Sequence, residues 1–298
     1  MCLIKLQGFF NIYKPPGLTS FDVIRQLKKR FSRKSKIGHL GTLDPMATGV
    51  LPVAVGNATR VIEYVADSNK AYIAAFILGA VSDTQDAWGN ITVLNDNIIC
   101  NEAELRQVME QFKGSIEQIP PMYSAVHHNG QRLYELARQG VEVERTPRMI
   151  TIEVIELLDI DQSGKFPRVT IKVTCSKGTY IRTLVHDIGA RMGTGAYLTS
   201  LVRVRTGDFC LDEAVPLQEL LAAEDMAKYL LPIDYPLRYM TAYELEEEQS
   251  LNVKQGKGIK AEGFMHQQKV RLYFKQQLTA IAYYDLEMGV LRPEKVFI

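Results

Sequence analysis

The amino-acid sequence predicts an α+β fold: a mixed, mainly antiparallel sheet with flanking helices, followed by a small β-rich domain. Strand-like and helix-like segments mix without a regular βαβ rhythm. No internal repeat of about 20–50 residues is visible, which argues against a solenoid or propeller. A hydrophobic content of 46% over 298 residues supports a substantial core.

The elements follow in order. "FNIYKPPG" reads as an extended segment ended by Pro15-Pro16-Gly17, and "LTSFDVIRQLKKRF" as a helix capped near Thr19 or Ser20, with Phe21, Ile24, Leu27 and Phe31 at helical spacing. The basic loop "SRKSKIG" comes next, then "GVLPVAVG" as an apolar strand and "ATRVIEYVADS" as a short helix. "KAYIAAFILGAVSDTQDAWGNI" predicts a hairpin whose polar connection holds Asp83, Asp86, Gly89 and Asn90. In "NEAELRQVMEQFKG", Asn101 and Glu104 have capping-box spacing and Gly114 supplies a stop. "MITIEVIELLDI" and "RVTIKVTCS" read as strands, the second placing Val169, Ile171, Val173 and Cys175 on one face. "TYIRTLVHDIGARMG" predicts a helix and "AYLTSLVRVRTGDF" another strand. Prolines 232 and 236 punctuate the chain, and beyond them "TAYELEEEQSLNVKQG" reads as an acidic helix and "VRLYF", "LTAIAYYDL" and "VLRPEKVFI" as short strands. These divide the chain into residues 1–237 and a small domain over 238–298.

Composition narrows the function classes. No run of about 18 apolar residues exists, so no membrane span is expected. The amino terminus carries Lys5 and lacks a small-residue cleavage site, so a cytoplasmic protein is expected. Cys2, Cys100, Cys175 and Cys210 are far apart and form no CxxC pair; the histidines offer no zinc spacing, and adjacent His127 and His128 point in different directions. Neither a metal nor another cofactor is expected. The net charge is only +1, yet residues 1–60 hold ten Lys/Arg against Asp22 and Asp44, leaving the rest of the chain acidic. A polyanion partner near the amino-terminal segment fits that asymmetry, as does a solvated helix face.

Phosphate-binding patterns fail: there is no GxxxxGK[ST], no dinucleotide fingerprint and no GxSxG elbow. What remains is a lone carboxylate, Asp44, in "GHLGTLDPMATGVLPVAVGNATR". Taken alone, Asp44 before Pro45 reads as a helix N-cap. Beside a suspected nucleic-acid partner it also suits base chemistry that needs no metal.

That segment resembles the catalytic motif of the TruB-type tRNA pseudouridine-55 synthases. The resemblance runs on through "DSNKAYIAAFILGAVSDTQDAWG", "QIPPMYSAVHHNGQRLYELARQGVEVERTPR" and "CSKGTYIRTLVHDIGARMGTGAYLTSLVR", in the family's order across residues 8–210. It implies an α+β synthase domain followed by a small PUA-type domain that binds RNA. It implies isomerisation of uridine to pseudouridine in the T-loop of tRNA, without cofactor, by a monomer. Asp44 matches the catalytic aspartate, Arg182 its arginine partner, and Tyr72 the pocket tyrosine that stacks on the base and serves in proton transfer. Tyr180 and Leu201 match further pocket positions, and His39 matches the residue that fills the space left by a flipped base. A carboxylate in an apolar pocket needs such a guanidinium to favour its charged form and to orient it. Three rival readings are a guide-RNA-dependent synthase, a binding-only RNA protein and a hydrolase with an aspartyl nucleophile. The "PPMYSAVHHNGQRLYELARQG" wording resembles the stand-alone bacterial branch, and no water-activating base for a hydrolase stands near Asp44.

Overall fold

Residues 6–65 and 68–297 are described by the structure, a computed structural model; Cys2 and Lys5 lie outside them. The first apolar run forms β1 (Gly8–Lys14), and the prolines turn the chain into α1 (Ser20–Lys28). Thr19 caps that helix: its hydroxyl accepts from Asp22 N while the Asp22 carboxylate accepts from Thr19 N. Val23, Ile24 and Leu27 are buried, but Phe21 is 65% exposed. Three-residue steps drift backwards by about 60° each around the helix, which carries Phe21 about 120° away from Leu27 and off the buried stripe.

Two short-range partners, β2 (Ile37–His39) and β3 (Thr48–Val55), enclose an irregular loop, and α2 (Ile62–Val65) follows a 3-10 turn. β4 (Lys70–Leu78) is a strand of the main sheet, whereas the expected hairpin is built from β5 (Ala80–Ser82) and β6 (Ile91–Val93). Gly79 separates the two, with φ +101, a left-handed bend that takes the chain out of the sheet. α3 (Glu102–Glu110) starts at Asn101, whose side chain accepts from the amides of Ala103 and Glu104. Then come β7 (Gly114–Gln118), the small hairpin of β8 (His127–His128) and β9 (Gln131–Arg132), and α4 (Leu133–Arg138). The long β10 (Arg148–Asp161) pairs with β11 (Arg168–Cys175), whose Val169, Ile171, Val173 and Cys175 are all fully buried, as their alternation predicts. α5 (Ile181–Arg191), β12 (Ala196–Thr206), β13 (Phe209–Cys210), β14 (Val215–Pro216) and α6 (Leu217–Ala222) complete this part.

Ten strands form one sheet in the order β14-β1-β3-β12-β4-β11-β10-β7, with β2 paired to β3 and β13 to β12. All neighbours are antiparallel except β1 with β14 and β3 with β12. The parallel β3–β12 seam is unusually close, because a Cβ on Gly49 would sit 2.2 Å from Arg203 O. Only glycine, here at φ +102, lets the two backbones meet. That seam matters because the irregular loop enters β3 directly beside it.

The remaining chain forms a second sheet, β15-β17-β18-β19-β16, from β15 (Thr241–Glu244), β16 (Ile259–Lys260), β17 (Lys269–Phe274), β18 (Gln277–Asp285) and β19 (Val290–Val296). The acidic helix is shorter than its sequence suggests. Residues 241–244 pair in parallel with β17, and α7 (Glu247–Lys254) begins only after the capping box of Glu246 and Gln249. Leu245, Val253, Leu272 and Leu291 give this sheet its own core. Ile281 and Phe297 instead pack with Phe9, Val50 and Phe209 of the first sheet. Arg60 lies over the Phe297 ring and donates to Val296 O, and Lys295 pairs with Glu63. The three described cysteines are free thiols.

Candidate active site

No helix follows Asp44. Ala47 N donates to Asp44 O in a single turn, and the chain then enters β3, so the N-cap reading fails. Pro45 O is already taken by Gly17 N and by Lys14 Nζ, contacts that hold the turn against the end of β1. The Asp44 side chain turns instead to Arg182. Its Oδ2 accepts from Arg182 Nε at 2.9 Å and its Oδ1 from Nη2 at 3.3 Å, while about a third of the side chain stays open to solvent.

Arg182 is no surface arginine. At the second position of α5 it is 4% exposed, and its fork also donates to Thr84 O at 3.0 Å and Tyr123 O at 2.8 Å. Nη1 lies 3.4 Å from Oδ2 of the buried Asp86. Asp86 is itself held, accepting from Thr84 Oγ1 and Trp88 N through Oδ1. Two carboxylates and two carbonyls around one guanidinium fix its plane, and bidentate pairing transmits that plane to Asp44.

A second buried cation lies beneath the loop. Arg203 of β12 is fully buried and donates to Gly41 O, Thr42 O and Val50 O, so it grips both the loop and the strand that follows. Tyr72 stands opposite Arg203 across the β4–β12 ladder. Burial pushes the Tyr72 phenol above its ordinary value, with the Arg203 guanidinium opposing the shift. Lys14, also fully buried, donates to Pro15 O, Leu18 O and Pro45 O. Burial pushes its ammonium down to about 8, against the attraction of Asp44.

His39 ends β2, just before the loop; burial, then Arg203, hold its imidazole toward the neutral form, and Nδ1 is buried without a hydrogen bond. Tyr180 precedes α5, and burial raises its phenol as well. Leu201 faces Ala74 across β4–β12 and belongs to the same buried cluster as Tyr72. The structure therefore joins Asp44 and Arg182 directly and gathers Tyr72, Tyr180 and His39 around them and Arg203. It places Leu201 in the adjoining core.

Sequence reasoning missed Lys14, Arg203 and Asp86 as parts of this arrangement. Arg203 did carry a signal: strand alternation puts it on the same face as Leu201, an inward position where a cation must find partners. Lys14 carried the same signal, since strand alternation puts it on the face of the buried Phe10 and Ile12, though at the very end of β1. Among the described residues, no three His, Cys, Asp or Glu side chains are placed to hold a metal, and no helix is long and apolar enough to cross a membrane.

Comparison with known proteins shows the family of the chain. Residues 28–181 match the model of the TruB family pseudouridylate synthase N-terminal domain, and residues 182–238 that of the tRNA pseudouridylate synthase B C-terminal domain. The chain is 51% identical to the tRNA pseudouridine synthase B of Syntrophomonas wolfei over 98% of its own length and 99% of the relative's. It is 41% identical to that of Heliobacterium modesticaldum, over 99% and 96%. Among solved structures, a Cbf5-Nop10-Gar1 complex contains a chain 28% identical to this one with a TM-score of 0.72, covering 98% of this chain and 85% of that one. Near-complete coverage at such identity, joined to an aspartate held by a buried arginine, assigns the chain to the TruB family of pseudouridylate synthases.

Proposed function

We propose that the protein isomerises uridine 55 in the T-loop of tRNA to pseudouridine, with Asp44 as the acting group. The observation that carries this reading is the Asp44 carboxylate, gripped on one side by Arg182 and open on the other. The reaction breaks the N1–C1′ bond, turns the uracil, and forms C5–C1′; C5 gives up its proton and N1 gains one, so no oxidant or reductant is needed. The open side of the Asp44 carboxylate can attack the base or the sugar, or take the proton. Arg182 orients it. Tyr72 offers a ring to stack on the base and a phenol that keeps its proton for transfer.

A base stacked in a folded loop must be flipped out, at a cost of a few kcal/mol. His39, held toward the neutral form and one of its nitrogens unpaired, suits stacking in the vacated space. Tyr180 and Leu201 complete the pocket wall. The basic residues of α1 and the loop after it would contact phosphate. Residues 1–237 serve as the catalytic domain and 238–298 as a PUA-like RNA-binding domain, in a monomer acting in the cytoplasm. Relatives named tRNA pseudouridine synthase B that match nearly end to end favour action on tRNA without a guide RNA.

The test is tritium release from a tRNA transcript labelled at C5 of uridine, with the purified protein alone and with Asp44→Asn. Release by the first only is expected, with the variant's tRNA affinity within about tenfold because phosphate contacts dominate binding. Equal release by both would return Asp44 to a structural role.

A further inference from the structure

Gln118 closes β7 and is 3% exposed. Its Oε1 accepts from Tyr180 N at 2.8 Å and its Nε2 donates to Tyr180 O at 3.0 Å. One side chain thus makes both bonds that a neighbouring strand would make to that residue's backbone. Only one orientation of the amide allows this, since Tyr180 N can only donate and Tyr180 O can only accept. Tyr180 is the last extended residue before α5, at φ −99 and ψ 107, and it makes no side-chain cap. Its carbonyl also accepts the first bond of the helix, from Leu184 N. Arg182 follows two residues later.

We propose that Gln118 is a positioning residue for the reaction: by clasping both peptide groups of Tyr180 it sets the direction in which α5 starts, and so where the Arg182 fork meets Asp44. This rests on the reading of Asp44 and Arg182 given above. Among the described residues β7 pairs only with β10, where Arg148 stands opposite Gln118. The side chain ties that edge strand to the helix start through two hydrogen bonds. Loss of either bond leaves a peptide group of Tyr180 partly unpaired and frees the first turn of α5 to shift. A shift of about 1 Å at the reacting group is enough to cost about a hundredfold in rate.

Two variants separate positioning from mere packing. Gln118→Met keeps length and volume but removes both bonds. Gln118→Glu keeps the acceptor and loses the donor while ionised, then regains the donor when protonated. Expected for Gln118→Met is a single-turnover rate lowered about thirtyfold, with the affinity for a T-stem-loop RNA within about threefold. For Gln118→Glu the rate divided by that of the wild type should rise at least about fivefold as pH falls from about 8 to about 5.5. Arg148 on β10, Asp44 on the loop and Arg182 on α5 are the charged groups that act on the adjoining Tyr180 phenol, and division by the wild-type rate at each pH cancels their own effects. A Gln118→Met rate within about threefold of wild type, or a Gln118→Glu ratio that does not change with pH, overturns the proposal. Failure of the wild type itself to release tritium would instead refute the proposed function. In that case the Arg182 Nε–H resonance still decides, because it must shift in Gln118→Met if the clasp sets the position of Arg182.

Discussion

Replacing Arg182 by lysine keeps the charge and removes the fork, which makes Arg182→Lys the sharpest probe of this site. The guanidinium reaches both oxygens of Asp44, the carbonyls of Thr84 and Tyr123, and the edge of Asp86. A lysine ammonium has three donors at one point, so it cannot span acceptors that lie on several sides of a plane. It is expected to keep one contact to a carboxylate and abandon the rest, leaving Asp44 tethered through a single oxygen. The freedom gained is about 1 Å, a displacement that costs about a hundredfold in rate, or about 2.7 kcal/mol. Because the buried charge remains, the fold should lose less than the roughly 3–5 kcal/mol of a fully broken buried pair. Single-turnover tritium release measures the rate, and fluorescence anisotropy measures RNA affinity, which should stay within about threefold. A variant that retains its rate within about threefold would refute the idea that bidentate geometry sets the reactive position of Asp44.

Two further expectations concern the buried cations that sequence reasoning missed. Arg203→Met leaves the carbonyls of Gly41, Thr42 and Val50 without their donors, and urea unfolding should register a loss of about 3–5 kcal/mol; a loss below about 1 kcal/mol would show that water replaces the side chain freely. For Lys14, the unfolded chain keeps the proton to about 10.5 while the folded one releases it near 8, so the unfolded state binds more protons between those values and stability from this group rises with pH across that window. Wild type should gain up to about 3 kcal/mol over Lys14→Met from the lower to the upper end, and parallel pH–stability curves would contradict a depressed Lys14.

Much of the first sheet was legible because its signals are local. The alternation in β11 needs no knowledge of β4 or β10 to be read, and a cap residue at Thr19 or Ser20 ahead of an apolar-periodic run announces α1. Phe21 shows where this fails: spacing identified a face, but packing against the sheet chose which 100° of it to bury. Residues 241–244 show another limit, since their pairing with β17 is decided by a strand nearly 30 positions later. The pairing of Asp44 with Arg182 was legible only through the family resemblance, because the two are 138 residues apart and local spacing does not link them. Asp86 and Arg203 lie within the resembling segments but had no role attached to them there, and charge alone does not tell a buried cation from a solvated one.

The irregular loop that carries Asp44 has little hydrogen bonding of its own, so its shape is imposed from outside. Lys14 from β1 holds Pro45 O, Arg203 from β12 holds Gly41 O and Thr42 O, and Arg182 from α5 holds the carboxylate itself. Two of these three cations grip the loop by its main-chain carbonyls, which every residue type presents. The loop can therefore keep its course while its side chains are free to serve the substrate. The cations come from elements far apart in the chain, and β1 and β12 both neighbour β3 in the sheet. Local opening of either strand from β3 would release the loop before it disturbed the exposed lysines and arginines of α1. Under mild denaturation, turnover should consequently vanish at a lower urea concentration than RNA binding, and coincident loss of the two would mean that the loop unfolds only with the whole domain.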